Sequence, residues 1–387
     1  MKILFDFISV QGYINGGAEH TKKVFESIIN SNTDVDIWAL FDSKKKFVDD
    51  TQSIFKDKID KWVDVNLHKN LGLFINDNGI DVFYIGIFQR YSKYKLENIK
   101  CKCIVVIHDV IDVEFERNNL HNIFIPIRRT VVKFICRILD LLKYVATGKL
   151  NDNFSPISVF DKQKAFLTLE NVRIITVSQF SKESILYNLP YIKNERVDVY
   201  YAPQKITPDP QKNDVIESLL LDKKKYFLLL CADRYSKNAA MAMDAFEQFA
   251  KKCEDCYIVT TGVNKKIFKN HVPLPFICSA ELEYAYMNAC ALLYPSIVEG
   301  FGYPPVEAMK YGTPVICSNT SSIPEIVGEA GYYFSPVLRS DLYSTLVSFM
   351  DDYKNGAINR QLFKDRYKYI RGLQNYSLQK LVKLVVS

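Results

Sequence analysis

Residues 299–316 read Glu299-Gly300-Phe301-Gly302-Tyr303-Pro304-Pro305-Val306-Glu307, then Ala308-Met309-Lys310-Tyr311-Gly312-Thr313-Pro314-Val315-Ile316. They set two carboxylates eight positions apart across a glycine-rich turn. The apolar run Ala291 to Pro295 predicts a short strand just before them. Pro304 and Pro305 can open a helix at no hydrogen-bonding cost, and Gly312 with Pro314 can end it before the next strand. Glu299 then lies in the loop beyond a strand end, and Glu307 in the first helical turn. Carboxylates accept hydrogen bonds from sugar hydroxyls, while free amides in a loop or at a helix start favour anionic oxygen. These parts suit a crevice for a polyhydroxylated, phosphate-bearing ligand. A capped surface helix with an ordinary glutamate would show the same residues.

Outward from this stretch, apolar runs alternate with helical patterns. Strands are expected at Tyr226 to Cys231, Tyr257 to Thr260, Phe276 to Cys278, Ala291 to Tyr294, Val315 to Cys317 and Tyr332 to Phe334. Helices are expected at Ala239 to Lys252, Glu281 to Ala289 and Pro305 to Tyr311, with a helical turn from Pro324. The polar, proline-bearing Pro203 to Asn213 reads as a linker. Before it a similar alternation runs through strands Lys2 to Val10, Val35 to Leu40, Val82 to Ile85, Cys103 to Ile107 and Arg173 to Val177, with a helix from Ala18 to Asn30. Such buried-type runs indicate mostly parallel sheets, and the restart after the linker indicates two similarly built α/β domains. Ligands in such sheets collect at the carboxyl edge of the strands.

The bulk properties agree with this organisation. A chain of 387 residues, 48% hydrophobic and 24% charged, has a globular composition and a length for two domains. Its net charge of +6 permits phosphate attraction without establishing it. Nine scattered cysteines, with one unmatched Cys253-x-x-Cys256, fit reduced thiols in a cytoplasmic protein better than metal or redox chemistry. Met1-Lys2 leads straight into a buried-type strand, so no exported leader is expected, and no apolar run reaches membrane-spanning length. Segment Asn122 to Thr147 is apolar yet carries Arg128, Arg129, Lys133, Arg137 and Lys143. It reads either as packed helices with a solvated edge or as an element lying at the inner membrane surface. No basic, aromatic stacking platform for nucleic acid is visible.

Taken in order, Glu299-Gly300-Phe301-Gly302, Pro304, Glu307-Ala308-Met309, Gly312 to Val315 and Pro324 to Gly331 resemble the large retaining GT-B glycosyltransferase family usually called family 4. The resemblance takes in Arg234-Tyr235-Ser236-Lys237-Asn238 and, in the first half, Gly16-Gly17-Ala18-Glu19, His108-Asp109 and Thr176 to Ser181. It implies two Rossmann-like domains facing each other across a cleft. Residues 1–203 would form the acceptor side, 204–368 the nucleotide-sugar side, and 369–387 a terminal helix, opened near Tyr376, that crosses back.

The resemblance also implies roles. Arg234 and Lys237, two cations three apart at a strand-to-helix junction, would neutralise the donor diphosphate in place of a metal ion. Glu307 would accept from the ribose hydroxyls. Glu299 would meet the donor sugar, with Phe301 and Gly302 offering backbone amides. Gly16 and Gly17 would approach donor phosphate and acceptor, and His108 would donate to a sugar hydroxyl or hold the acceptor. Asp112 and Glu114 lie near enough in sequence to contact the acceptor, Asn238 could cap the following helix, and Ser181 could cap its own. The family often has glycine where Cys231-Ala232 stands, so backbone access there is expected to be tighter.

The implied activity is metal-independent, retaining transfer of a hexose from a GDP- or UDP-sugar to a hydroxyl of a saccharide or lipid-linked saccharide. The setting would be surface polysaccharide, lipopolysaccharide or glycan synthesis, with mannosyl transfer among the options. No cofactor beyond the donor is expected. The competing readings are a nucleotide-sugar epimerase on the same frame and a non-catalytic scaffold that binds sugar nucleotides. Oligomeric state is not readable from the chain.

Overall fold

The computed structural model describes residues 1–387 except 13–14, 32–33, 48–49, 118–157, 206 and 275–276, with the side chains of 115–117 also outside it. The basic apolar segment 122–147 therefore lies outside the described residues. The chain divides into two compact units. The first comprises Met1–Val177, Ser181–Pro203 and Ser377–Ser387; the second comprises Ser178–Phe180 and Gln204–Tyr376.

Among the described residues the first unit holds seven strands: β1 (Lys2–Asp6), β2 (Asp36–Phe41), β3 (Lys61–Asp64), β4 (Val82–Ile85), β5 (Lys102–Val106), β6 (Val172–Thr176) and β7 (Val197–Val199). All pair in parallel, in the order β3-β2-β1-β4-β5-β6-β7. Successive side chains go to opposite faces, and both faces are covered. Leu4, Leu40, Phe83, Val105 and Ile174 enter one core, while Ile3, Phe5, Tyr84, Ile104 and Ile175 enter the other. That is why these strands read as continuous apolar runs. β1 ends four residues sooner than expected, because the Asp6 carboxylate accepts from Ser9 N at 3.1 Å and Gly86 N at 3.0 Å. The capture turns Ile8–Val10 into a 3₁₀ turn. Strands β3 and β7 were not anticipated. Each is a short edge strand with one fully buried residue, Val63 or Val197, too little for an apolar run.

The second unit holds β8 (Lys225–Leu229), β9 (Cys256–Thr261), β10 (His271–Leu274), β11 (Ala291–Tyr294), β12 (Val315–Ser318) and β13 (Tyr332–Phe334). They too pair in parallel, in the order β10-β9-β8-β11-β12-β13. This is the strand order of the doubly wound dinucleotide-binding sheet. Tyr226, Leu228, Leu292 and Val315 pack on one face, and Phe227, Leu229, Leu293 and Ile316 on the other. β10 lies ahead of the expected Phe276 to Cys278. Within that run Cys278 instead begins the helix Ser279–Asn288, its N–H donating to Glu281 Oε2 at 2.9 Å.

The final helix does not open near Tyr376 but runs unbroken from Arg360 to Val386. It contains no proline, and the lone Gly372 costs only about 1 kcal/mol. Phe363 belongs to the core of the second unit, and Leu381, Val382 and Val385 to that of the first. Among the described residues no helix is long and apolar enough to cross a membrane.

Leu292 is fully buried at the centre of the second sheet. Leu292→Ala is expected to remove about 2–5 kcal/mol of stability from that unit. Denaturant unfolding should show this as a lower midpoint, and an unchanged midpoint would contradict the packing described.

Candidate active site

In the second sheet the strand order reverses between β8 and β11, where Phe227 lies beside Ala291 and Leu228 beside Leu292. Connections leaving two such neighbours diverge and leave a crevice beyond the strand ends. Both expected motifs stand in the loops at that place. After β8 come Arg234, the 3₁₀ turn Tyr235–Lys237 and the helix Ala239–Ala250. After β11 come Glu299 to Gly302 and the helix Tyr303–Lys310. Ile297 N donates to Ser236 O at 2.9 Å, which ties the two loops together.

Lys237 and Glu299 meet directly as an ion pair between half-buried side chains. The Lys237 ammonium also donates to Tyr294 Oη at 3.2 Å and lies 4.8 Å from the centre of that ring. Tyr294 ends β11 and is buried; burial, then the Glu299 charge, push its phenol well above the usual range, so it remains neutral. Arg234 is exposed and has no ion-pair partner among the described residues. The structure thus brings Lys237 and Glu299 together and leaves Arg234 facing solvent.

Glu299 is held through its backbone. Its N–H donates to Ser321 Oγ at 3.0 Å, and Ser322 Oγ donates to the carbonyls of Glu299 at 2.9 Å and Phe301 at 3.0 Å. Ser318 Oγ donates to Ser296 O in the same manner. Gly302 starts the following helix at φ +97°, a conformation that glycine adopts without strain. The Phe301 side chain is buried.

Glu307 is the fifth residue of its helix, not a first-turn residue, because the helix already begins at Tyr303. Its two carboxylate oxygens are both engaged. Lys205 Nζ donates to Oε1 at 2.7 Å, and the Tyr286 hydroxyl donates to Oε2 at 2.7 Å. Burial, then Glu307, hold the Tyr286 phenol well above its ordinary range. Sequence reasoning missed Lys205, Tyr286, Tyr294 and the three serines. The linker lysine stood in no motif, and the tyrosines looked like ordinary core residues.

Cys231 takes φ +53° in the loop after β8, the left-handed region where glycine is at home. This gives the departure noted from the family pattern a backbone cost. Asn238 stands at the start of its helix but does not cap it; its Nδ2 donates to Pro336 O at 2.7 Å. The thiols of Cys253 and Cys256 are not joined in a disulfide.

In the first unit Gly16 and Gly17 are the first two residues of the helix Gly16–Ile29, not part of the loop before it. Asn15 caps that helix by accepting from Ala18 N at 2.8 Å. A Cβ on Gly17 would fall 2.8 Å from Ile87 Cδ1 and 3.2 Å from His108 Nε2, so a side chain at this helix start would have to push the Ile87 side chain aside and crowd the imidazole. His108 Nε2 lies 3.0 Å from Gly86 O. A carbonyl only accepts, so Nε2 carries the proton and Nδ1 is left as an acceptor. The expected donation by His108 to a sugar hydroxyl is thus not available from Nε2 in this arrangement. Ser181 Oγ donates to His108 O at 3.0 Å and steadies that loop. Glu114 is drawn inward by Ser184 and Asn188. The His20 ring, fully buried, stands perpendicular to that of His108 with centroids 5.0 Å apart.

Burial lowers the His108 pKa to about 4, and burial followed by the His108 charge holds His20 well below its normal value. The unfolded chain therefore takes up protons that the folded chain refuses. Stability is fully present above about pH 6.5 and falls as pH drops from there towards 4. Because His108 is only half-buried, the loss attributable to it at pH 5 is expected on the order of 1–2 kcal/mol. Denaturant melts at pH 7.5 and 5 should show it, and His108→Asn should flatten the dependence. Gly17→Ala should disturb His108 and lower stability by about 1–3 kcal/mol; a neutral effect would deny the close approach.

Comparison with known proteins follows the same division. Residues 211–356 match the family model described as glycosyl transferases group 1. That segment contains Arg234, Lys237, Glu299, Phe301, Gly302 and Glu307, while Gly16, Gly17 and His108 lie outside it. The chain is 25% identical over 288 residues to the alpha-1,3/1,6-mannosyltransferase ALG2 of Dictyostelium discoideum, covering 64% of this chain and 65% of the relative. It is 31% identical over 179 residues to the O-antigen chain mannosyltransferase RfbU of Salmonella typhimurium, covering 42% and 46%. The match thus spans less than two thirds of either relative. Among solved structures, HepE of Anabaena, in complex with UDP and glucose, superposes with a TM-score of 0.63 at 13% identity, covering 98% of this chain and 99% of that one. The two units have the Rossmann-like fold of the GT-B glycosyltransferases, and the second carries the glycosyl transferases group 1 match.

Proposed function

We propose that this protein is a retaining glycosyltransferase that moves a hexose from a nucleoside-diphosphate sugar to a hydroxyl of a saccharide or lipid-linked saccharide, without a metal ion. The observation that carries the reading is the Lys237–Glu299 pair at the strand-order reversal, with Arg234 exposed in the same loop as Lys237. On binding, Arg234 and Lys237 neutralise the diphosphate, and they do so most strongly as it departs with developing charge. Glu299 turns from Lys237 to the hydroxyls of the sugar, with the amides at Phe301 and Gly302 beside it. Glu307 accepts from the ribose. In the first unit, the amides of Gly16 and Gly17 and the His108 Nδ1 acceptor are the groups offered to acceptor hydroxyls.

The bond from the anomeric carbon to the departing phosphate breaks as the acceptor oxygen bonds on the same face. The phosphate oxygen takes the acceptor proton, so Glu299 need not become a covalent nucleophile. The names of ALG2 and RfbU favour mannosyl transfer in the synthesis of a glycan or O-antigen chain, and the UDP and glucose held by HepE favour a nucleotide-sugar donor.

Calorimetry with GDP-, UDP- and ADP-sugars, with and without EDTA, tests this. One donor class should bind regardless of EDTA and support transfer. Glu307→Ala should weaken it about 10- to 100-fold, the loss of hydrogen bonds to a charged acceptor. Glu307→Gln, which spares the shape of the site, should lose less. A folded protein that binds no donor would refute the reading.

A further inference from the structure

The first described residues of the linker are fastened to the second unit at three points. Gln204 Nε2 donates to Tyr367 Oη at 3.4 Å, Lys205 pairs with Glu307, and Thr207 Oγ1 accepts from Lys310 Nζ at 3.0 Å. The three ties are not equivalent. Lys310 has a second partner, donating at 2.7 Å to Glu283, a carboxylate only 4% exposed that also accepts from Tyr311 Oη at 2.6 Å. That cluster is closed and needs nothing from a ligand. Lys205 alone is bound to a carboxylate assigned here to the ribose.

We infer that Lys205 is a competitor of the donor, a linker lysine that occupies Glu307 until ribose hydroxyls displace it. The inference rests on the donor reading above. Both Glu307 oxygens already accept a hydrogen bond, one from Lys205 and one from Tyr286. The Tyr286 hydroxyl comes from a fully buried side chain and has no room to withdraw. Lys205 can leave: its side chain is 27% exposed against 13% for Glu307, and its four-carbon stem can swing the ammonium into water. It already lies 4.5 Å from the centre of the Tyr303 ring, a face that can keep the cation close once the carboxylate is taken. A vicinal diol supplies two O–H donors, one to replace the ammonium on Oε1 and one for the remaining capacity of Oε2. Donor affinity is therefore set partly by a contact that binding must break, and breaking it releases the only ion pair of Gln204 to Thr207 among the described residues.

The test is calorimetry with UDP and GDP on the wild type, Lys205→Met and Lys205→Arg, repeated with the 2′,3′-dideoxy diphosphates. An ion pair whose lysine still reaches water is worth about 1 kcal/mol, so Lys205→Met should bind the cognate ribonucleotide about three- to fivefold more tightly. The gain should vanish with the dideoxy nucleotide, which cannot contest Glu307. Lys205→Arg, which can fork onto the carboxylate, should bind no better than the wild type. Wild-type binding with equal or weaker binding by Lys205→Met would overturn the competitor role alone. The same would follow from a gain that persists with the dideoxy nucleotide. No binding of either nucleotide by the wild type, in a sample shown to be folded, would overturn the donor reading and this inference with it.

Discussion

In the second sheet the chain lays strands outward from β8 in one direction and then returns to lay β11 on its other side. Both strands are buried on both faces, so polar groups can emerge only where the strands stop. The arrangement of the candidate site follows from that stop. Tyr294 shows the continuity best: its body belongs to the apolar core, and its hydroxyl touches the lysine that holds Glu299. The packing that fixes β11 beside β8 therefore also fixes the distance between the two motif-bearing loops. The bond from Ile297 N to Ser236 O makes the link explicit.

The electrostatics repeat one pattern twice. Glu299 is answered by Lys237 with Tyr294 alongside, and Glu307 by Lys205 with Tyr286 alongside. A carboxylate largely withdrawn from water is costly without a partner, and each has a cation. The tyrosines add hydroxyls that do not ionise, because burial and the neighbouring carboxylate both oppose a second negative charge. In the first unit the logic runs the other way. Two histidines stand edge to face, no carboxylate among the described residues shifts either ring, and burial keeps them neutral.

The inner strands were legible from their apolar runs: β4 and β11 begin and end where expected. The edge strand β13 was legible too, from its aromatic run Tyr332-Tyr333-Phe334, whereas the edge strands β3 and β7 alternate with charged residues and leave no run. The turn that cuts β1 short depends on Gly86, distant in sequence, whose N–H binds Asp6. The motif residues were legible because their spacing mirrors a strand, a loop and a helix start. Their partners were not. Nothing local connects Lys205 to Glu307, 102 positions later, or Tyr286 to the same carboxylate. The final helix was read too short because Tyr376-Ser377 resembles a start signal, whereas Gln374 and Ser377 are buried within an uninterrupted helix.

The serines at 318, 321 and 322 grip main-chain atoms of Ser296, Glu299 and Phe301 and leave the side chain of Glu299 outside their reach. A hydroxyl is the smallest side-chain group that both donates and accepts, so it can hold a neighbouring backbone without adding bulk. Path and identity are thereby separated along this loop. Its course would survive a change of side chain at 299, because the grip never involved that side chain. A scaffold built in this way can exchange the group that meets its ligand while keeping the place where that group is presented, so selectivity can drift without the fold having to follow.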